Sequence, residues 1–247
     1  MHQFSDHFSP LADSYSQYRP HYPTALFAWL GEQSLTNDHA WDCATGNGQA
    51  AIALANHFER ITATDGSNDQ VHSAVPHPRV SYHTATAENS GLPDQSVSLI
   101  TVAQAMHWFN LDSFYEEARR VLKPKGLLAA WCYNLHSMGP ELDPIIRHFY
   151  DDIVGPYWPP ERLLVEQHYT TIPFPFDEVQ TPDFEMITDW TVDQLLGYIS
   201  TWSSCRYYRD AKNEDPLTHI EQDVRDAWGS TETRRGVWPL TVKVGRV

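Results

Sequence analysis

Short apolar runs alternate with helical patterns through the first half of the chain, and this alternation most constrains the fold. The run VSLITVAQA at 97–105 is continuously apolar, as expected of a strand buried on both faces of a parallel sheet. The amphipathic segment 111–122 predicts a helix, which the following KPKG ends. Further strands are predicted at 38–43, 61–65, 80–84, 127–133, 184–190 and 238–247, and further helices at 48–58 and 68–74. We therefore expect an α/β fold with a doubly wound, mostly parallel sheet of seven strands.

The second half of the chain is less regular, with prolines clustered at 156–160 and 173–182. Helices are predicted in this half at 141–153, 192–203 and 216–228. We interpret it as an insertion and closing strands built onto the same sheet, so that the 247 residues form a single domain.

The stretch DCATGNGQ at 42–49 lies where the first predicted strand meets the following helix. Gly46 and Gly48 permit backbone angles and a close ligand approach that a β-carbon would block, and the helix behind them presents free N–H groups. Ala44 stands where a third glycine is often expected, and it fits if its backbone stays in the β or α region. Asp65 ends the second strand, where a carboxylate can accept hydrogen bonds from ribose hydroxyls.

This turn leaves several interpretations open. Residues 46–51 fit the G-x-G-x-x-A pattern of dinucleotide sites, and the pairing with Asp65 is shared by NAD enzymes and by methyltransferases that use S-adenosylmethionine. Tyr208 and Lys212 have the Tyr-x-x-x-Lys spacing of some NAD-linked oxidoreductases, although they lie late in the chain. A glycine turn that holds no ligand, in a catalytically silent binding protein, is a further alternative.

Segments downstream of the turn separate these interpretations. The stretches ATAENSGLPDQSVSLITVAQAMHWF (85–109) and RVLKPKGLLAAW (120–131) resemble the class I S-adenosylmethionine-dependent methyltransferases. Within that class the chain is most similar to the small-molecule group that includes trans-aconitate methyltransferases, also in segments 8–23, 190–203 and 238–247. The resemblance implies a Rossmann-like sheet with an antiparallel closing strand, a helical insertion covering the active site, and methyl transfer from S-adenosylmethionine to a small-molecule acceptor, with a carboxylic acid as one candidate.

The same resemblance implies a cofactor role for residues at four strand ends. They are Asp42, Ala44, Gly46 and Gly48 for the methionine end and the approach to the ribose, Asp65 for the ribose hydroxyls, Thr86, Ala87 and Glu88 for the adenine ring, and Gln104 facing the sulfonium and the substrate. The chain departs from the family pattern twice, since Ala44 replaces the usual first glycine and Thr86 replaces a frequent acidic residue near the adenine amino group.

Methyl transfer from a sulfonium needs alignment of donor and acceptor more than it needs a base. A general base is required only if the acceptor must lose a proton, and a carboxylate acceptor needs none. Gln104 and His107 are the catalytic candidates, because both follow the fourth strand and an unperturbed imidazole has a pKa of about 6.5. Local packing is the alternative role for His107. Trp108 is expected to wall the substrate pocket.

The N-terminal segment is predicted to fold over the cofactor as a lid. Arg19 would then pair with the methionine carboxylate or with an acidic substrate, whereas the alternative is a surface arginine beside a proline turn. Tyr15 and Arg206 are further substrate candidates, the second as an anion anchor. The predicted parts of the domain are the lid (1–30), the cofactor-binding core (36–134), the substrate-covering region (135–230) with one core strand at 184–190, and the final strand (237–247).

Composition excludes several classes of partner. A formal net charge of −15 argues against a nucleic-acid partner, because such proteins usually present a basic face. No segment approaches the roughly 20 apolar residues that a membrane helix needs. Cys43, Cys132 and Cys205 are far apart and odd in number, which argues against disulfides and a metal site and predicts a cytoplasmic location. The sequence does not indicate the oligomeric state.

Overall fold

The computed structural model describes residues 18–247, and its centre is an eight-stranded sheet within that range. The strands are β1 (His39–Cys43), β2 (Arg60–Asp65), β3 (Val80–Thr84), β4 (Val97–Ala103), β5 (Leu122–Tyr133), β6 (Asp177–Glu178), β7 (Phe184–Trp190) and β8 (Arg234–Arg246). Their order across the sheet is β3-β2-β1-β4-β5-β8-β6, and β7 also pairs with β8. Strands β1 to β5 are parallel, whereas β8 is antiparallel to β5, β6 and β7.

The predicted α/β fold and its mostly parallel sheet are confirmed, with differences in strand length. The two-residue strand β6 brings the described strands to eight instead of seven. Strand β8 begins at Arg234 rather than at 237, because its first half pairs with β7 and its second half pairs with β5. Strand β5 begins at Leu122 rather than at 127, because the chain turns directly from a helix into extended backbone.

Helices cover the sheet and recur through the second half of the described chain. They are α1 (Thr24–Gln33), α2 (Gln49–Leu54), α3 (Asn68–Ser73), α4 (Leu111–Val121), α5 (Asp143–His148), α6 (Arg162–Glu166), α7 (Val192–Ser200), α8 (Ser203–Lys212) and α9 (Glu221–Trp228). The predicted helix 192–203 ends earlier, at Ser200, where the hydroxyls of Ser200 and Thr201 bond to carbonyls three residues back and compete with the helix. Within residues 18–247 every helix is too short or too polar to span a bilayer.

Apolar side chains fill both faces of the sheet, as the alternation along β1 illustrates. Trp41 and Cys43 pack with α4 and β4 on one face, whereas Ala40 packs with α1 and α2 on the other. All five residues of β1 are buried, which agrees with a central parallel strand. A third cluster, rich in Trp and Tyr, lies among α5, α7, α8 and the first half of β8. This cluster anchors the insertion to the sheet.

A buried carboxylate holds the loop that follows β3. Glu117 on α4 accepts hydrogen bonds from the backbone N–H of Ser90 at 2.8 Å and from the Arg120 guanidinium at 2.8 Å. Burial raises the pKa of the Glu117 carboxyl, but the hydrogen bonds from Arg120 and Ser90 outweigh it, so the net pKa lies below its usual value. This interaction fixes the loop in which Glu88 lies.

We expect Glu117→Gln to lower the free energy of unfolding by about 1–3 kcal/mol at pH 7, because a buried N–H and a guanidinium lose their charged acceptor. The folded pKa is lowered, so the carboxylate stabilises the fold above its unfolded pKa of about 4.3, and this contribution is lost as the pH falls through the folded pKa. Urea titrations of variant and wild type should therefore converge in acid. Equal losses in Glu117→Gln and in the exposed control Glu116→Gln would contradict this role.

Candidate functional site

A cavity of about 770 Å³ opens at the carboxyl ends of β1, β2 and β4. Parallel sheets bind ligands at this edge, where the strand order reverses between β1 and β4. The predicted site residues that line it are Arg19, Ala44, Gly46, Asp65, Thr86, Ala87, Glu88, Gln104, His107 and Trp108. The structure thus brings together ten residues from five separate stretches of the sequence.

The turn after β1 forms the floor of this cavity and is built from left-handed backbone. Ala44 has φ +55° and Gly46 has φ +56°, so Ala44 does not lie in the expected β or α region. An alanine in this conformation is strained by about 1–2 kcal/mol because its β-carbon approaches the following carbonyl. The N–H of Thr45 donates to the carbonyl of Thr64 at 2.9 Å, which pins the turn to β2. The strain at Ala44 is therefore held by the neighbouring strand.

Gly48 serves the fold rather than the cavity surface. It has φ +90° and caps α2, and a β-carbon there would overlap the hydroxyl of Tyr82 on β3. Gly48 does not line the cavity. Glycine is therefore required at this position because the Tyr82 side chain approaches it closely. The expectation that Gly48 faces the ligand is corrected.

Asp65 connects the glycine turn to the end of β2. Its Oδ2 accepts the N–H of Gly46 and its Oδ1 accepts the N–H of Ser67, each at 2.9 Å. A carboxylate has about four acceptor sites, so it can bind the backbone and hydroxyl groups of a ligand together. Asp65 lines the cavity beside the turn.

Asp42 lies beneath the cavity rather than in its wall. Its carboxyl is fully buried and accepts the hydroxyls of Thr45 at 2.5 Å and Thr101 at 2.7 Å. Burial raises the pKa of Asp42 to about 6, although these hydrogen bonds oppose the shift. Asp42 does not line the cavity, so the prediction of direct cofactor contact is corrected: it supports the turn through Thr45.

The amide of Gln104 is committed to the neighbouring strand. Its Nε2 donates to the carbonyl of Tyr133 at 3.0 Å, and its Oε1 accepts the N–H of Tyr133 at 2.9 Å. These bonds hold Gln104 at φ +55° and join the ends of β4 and β5. Gln104 lines the cavity, but its polar atoms bind backbone, so its role in the site is to position Tyr133.

His107 is neutral and hydrogen-bonded within the cavity wall. Its Nδ1 lies 2.8 Å from the hydroxyl of Tyr169, and its ring packs on Trp108 with centroids 4.7 Å apart. Burial, with a smaller effect from the positive charge of Arg162, lowers the pKa of His107 to about 3. The sequence-based pKa of about 6.5 is therefore wrong for this imidazole, which is a weak base.

A second, smaller cavity of about 70 Å³ adjoins the first and shares Arg19, Gln104, His107, Trp108 and Tyr133 with it. Arg19 donates from Nη1 to the hydroxyl of Tyr133 at 2.8 Å, and its guanidinium lies 5.3 Å from the ring centroid of Tyr198. Arg19 thus lies at the boundary of the two cavities.

The remaining predicted substrate residues are not found at the cavities. Arg206 lies on α8, stacked on Tyr207, and lines neither cavity, so its predicted place in the substrate pocket is wrong. Tyr15 falls within residues 1–17 and lies outside the described part of the chain. Tyr208 bonds to Glu214 at 2.6 Å, and neither Tyr208 nor Lys212 lines either cavity. Their spacing therefore forms no oxidoreductase site.

Sequence reasoning did not single out four residues of the smaller cavity: Tyr133, Tyr150, Trp158 and Arg162. The density of aromatic and proline residues between 134 and 182 was the one available signal, and it indicates a region without indicating which side chains point inward. Among residues 18–247, no three His, Cys, Asp or Glu side chains are placed to hold a metal ion, and the three cysteines are buried and free.

Comparison with known proteins identifies the family. Residues 41–130 match a methyltransferase domain. A Dictyostelium discoideum protein assigned as a methyltransferase is 33% identical over 93% of this chain and 89% of its own length. A solved structure from Anaeromyxobacter dehalogenans, assigned as a type II methyltransferase, is 44% identical with a TM-score of 0.87 and covers 93% of this chain and 98% of its own. The chain belongs to the class I S-adenosylmethionine-dependent methyltransferases.

More distant relatives agree with this family. An uncharacterized methyltransferase-like protein of Schizosaccharomyces pombe is 30% identical and covers 85% of this methyltransferase and 81% of its own length. A solved structure from Anabaena variabilis, assigned to antibiotic biosynthesis, has a TM-score of 0.56 at 17% identity over 91% of this chain and 98% of its own. At that identity only the fold is shared.

The cavity of this methyltransferase fits an adenosyl sulfonium. Its floor is the turn at Ala44 and Gly46, where the small residues leave room for close approach, and the carboxylate of Asp65 stands beside it. The larger cavity is also lined by Glu88 and Glu161, so it carries several negative charges, which favour a cationic ligand.

We expect Ala44→Gly to raise the free energy of unfolding by up to about 1 kcal/mol. Relief of left-handed strain, about 1–2 kcal/mol, exceeds the greater entropy that glycine has in the unfolded chain, about 0.5–1 kcal/mol. Ala53→Gly within α2 is the matched control and should instead destabilise by about 1 kcal/mol. Urea unfolding of both variants measures the difference, and a destabilised Ala44→Gly protein would show that the strain is absent.

Proposed function

We propose that this methyltransferase transfers the methyl group of S-adenosylmethionine to a carboxylate oxygen of a small acidic molecule. The observation that carries the proposal is the 770 Å³ cavity, in which the glycine turn and Asp65 stand at one end and Trp108 and Tyr133 at the other. Similarity to the trans-aconitate methyltransferases, seen in the sequence, is consistent with such an acceptor and remains a prediction.

Residues lining the cavity would hold the cofactor in the following way. Asp65 would accept the ribose hydroxyls, the turn at Ala44 and Gly46 would face the methionine end, and Arg19 would pair with the methionine carboxylate. Thr86, Ala87 and Glu88 would contact the adenine ring. When bound, S-adenosylmethionine supplies an electrophilic methyl group, to which an acceptor lone pair bonds as the carbon–sulfur bond breaks and leaves neutral S-adenosylhomocysteine.

The acceptor is proposed to need no base. With a pKa of about 3, His107 is unprotonated at neutral pH but is too weakly basic to take a proton from a hydroxyl or ammonium group. An acceptor that is already an anion avoids this requirement. The role left to His107 is to hydrogen-bond Tyr169 and to support the Trp108 wall, so that donor and acceptor are aligned.

The net charge and the cysteines of the chain favour a small-molecule acceptor and a cytoplasmic location. The net charge of −15 would repel a nucleic acid, which disfavours DNA or RNA as the methyl acceptor. Three buried, free cysteines suit a reducing compartment.

The test of the cofactor site is Asp65→Asn, with S-adenosylhomocysteine binding followed by calorimetry. We expect affinity to fall at least about tenfold, because the amide offers a donor where the ribose hydroxyls and two backbone N–H groups need an acceptor. Asp69→Asn on the exposed face of α3 is the matched control and should bind as wild type does. If Asp65→Asn kept its affinity within twofold, the ribose assignment would fail.

The test of the base-free mechanism is His107→Gln. Loss of a general base lowers the rate by about 10²–10⁴-fold. We expect the kcat of His107→Gln to fall by less than about tenfold, because the imidazole supports the Trp108 wall and takes no proton. The pH profile of wild-type kcat should show no ionisation near 6.5, since the folded pKa of His107 lies near 3. Transfer of labelled methyl groups to an acceptor measures both. An ionisation near neutral pH that disappears in His107→Gln would show that His107 acts as a general base.

A further inference from the structure

The smaller cavity extends from the cofactor cavity into the insertion, and we call it the acceptor chamber. It is separated from the larger cavity by the shared residues Gln104, His107, Trp108 and Tyr133. Its walls beyond that boundary come from the insertion and are mainly aromatic: Tyr150, Trp158, Tyr198 and Trp202. A molecule that reaches from one cavity into the other would therefore pass Trp108 and Tyr133.

The charged residues that line the acceptor chamber are basic, although the chain as a whole is acidic. The protein has 32 acidic and 17 basic residues, yet no acidic side chain among residues 18–247 lines the chamber, whereas Arg19 and Arg162 both do. The larger cavity, in contrast, is lined by Asp65, Glu88 and Glu161. The acidic groups thus lie on the cofactor side, Arg19 lies at the boundary that both cavities share, and Arg162 lies on the acceptor side alone.

The aromatic walls do not make this chamber a site for a cation. Aromatic faces attract cations, but here the protein's own guanidinium groups lie over them. The Arg162 guanidinium lies 4.8 Å from the ring centroid of Trp158 and 5.5 Å from that of Tyr150, and Arg19 lies 5.3 Å from that of Tyr198. An amine entering the chamber would meet two like charges.

Arg162 is held by neutral groups only. Its Nε donates to the hydroxyl of Tyr150 at 2.7 Å, and its Nη2 donates to the Asn134 side-chain oxygen at 3.2 Å. The Tyr150 hydroxyl in turn donates to Glu166 at 2.7 Å, which fixes its oxygen toward Arg162. No carboxylate among residues 18–247 forms an ion pair with Arg162. Its charge is oriented without being neutralised.

The geometry assigns the acceptor chamber as a binding site for an anionic group of the methyl acceptor, with Arg162 as its anchor. Arg162 lines the chamber but not the larger cavity, so it binds an anionic group other than the carboxylate whose oxygen accepts the methyl group. The acceptor class is therefore a small organic acid with a second anionic group that enters the chamber, while its body extends into the larger cavity. This inference rests on the proposed methyl transfer, because it places the second substrate of that reaction.

The experiment measures acid preference on the protein saturated with S-adenosylhomocysteine, so that it does not depend on turnover. Calorimetry compares crotonate, benzoate and cinnamate with their uncharged amides, for wild type, Arg162→Gln and Arg162→Lys. We expect the wild type to bind at least one acid about tenfold or more tightly than its amide, because a guanidinium–carboxylate pair in a partly buried site carries that much selectivity. Arg162→Gln should lose this preference, and Arg162→Lys should keep part of it.

The matched control is Arg147→Gln, which removes the same charge from an exposed position on α5 that lines neither cavity, and it should keep the full preference. S-adenosylhomocysteine affinity within twofold of wild type shows that each variant is folded. If the wild type shows no preference for the acids, or if Arg162→Gln retains the preference, the assignment of Arg162 as the anchor is overturned. Acid preference intact but no methyl transfer to any acceptor would count against the proposed function alone.

Discussion

The site depends on the carboxylate of Asp65, which links the turn after β1 to the loop after β2. By accepting the N–H groups of Gly46 and Ser67, it holds the turn after β1 against the end of β2. Asp42 supports the same turn from below through Thr45. Together the two carboxylates hold a strained alanine and two left-handed glycines in one conformation, and that conformation is what leaves the cavity open.

Around that turn the molecule separates charge by position. Carboxylates line the cavity in which a cationic donor is expected, Arg19 lies where this cavity meets the adjoining chamber, and Arg162 lines the chamber alone. Between them lie uncharged side chains, among them a neutral His107 and the amide of Gln104, which is bonded to the backbone of Tyr133. This arrangement suits a reaction that brings a cation and an anion together and needs no proton transfer.

Local sequence patterns were sufficient to predict strands whose bounds depend on their own residues. Strand β3 (80–84) and strand β7 (184–190) have the predicted bounds, because their period and turn residues are local signals. Asp65 was found in the same way, as the acidic residue that ends a short β-branched strand. The end of α7 at Ser200 was missed, because hydroxyl groups that compete with helical bonds leave no break in apolar spacing.

The sequence by itself determined the α/β architecture, the location of the glycine turn and the family, since all three follow from residue order along the chain. Only the tertiary structure decided that Asp42 and Gly48 lie behind the cavity surface, that Arg206 lines neither cavity, and that Arg162 lines the acceptor chamber. It also decided that His107 is a weak base. The physical reason is that burial, pKa and side-chain direction depend on neighbours that are distant in sequence, and no local pattern records them.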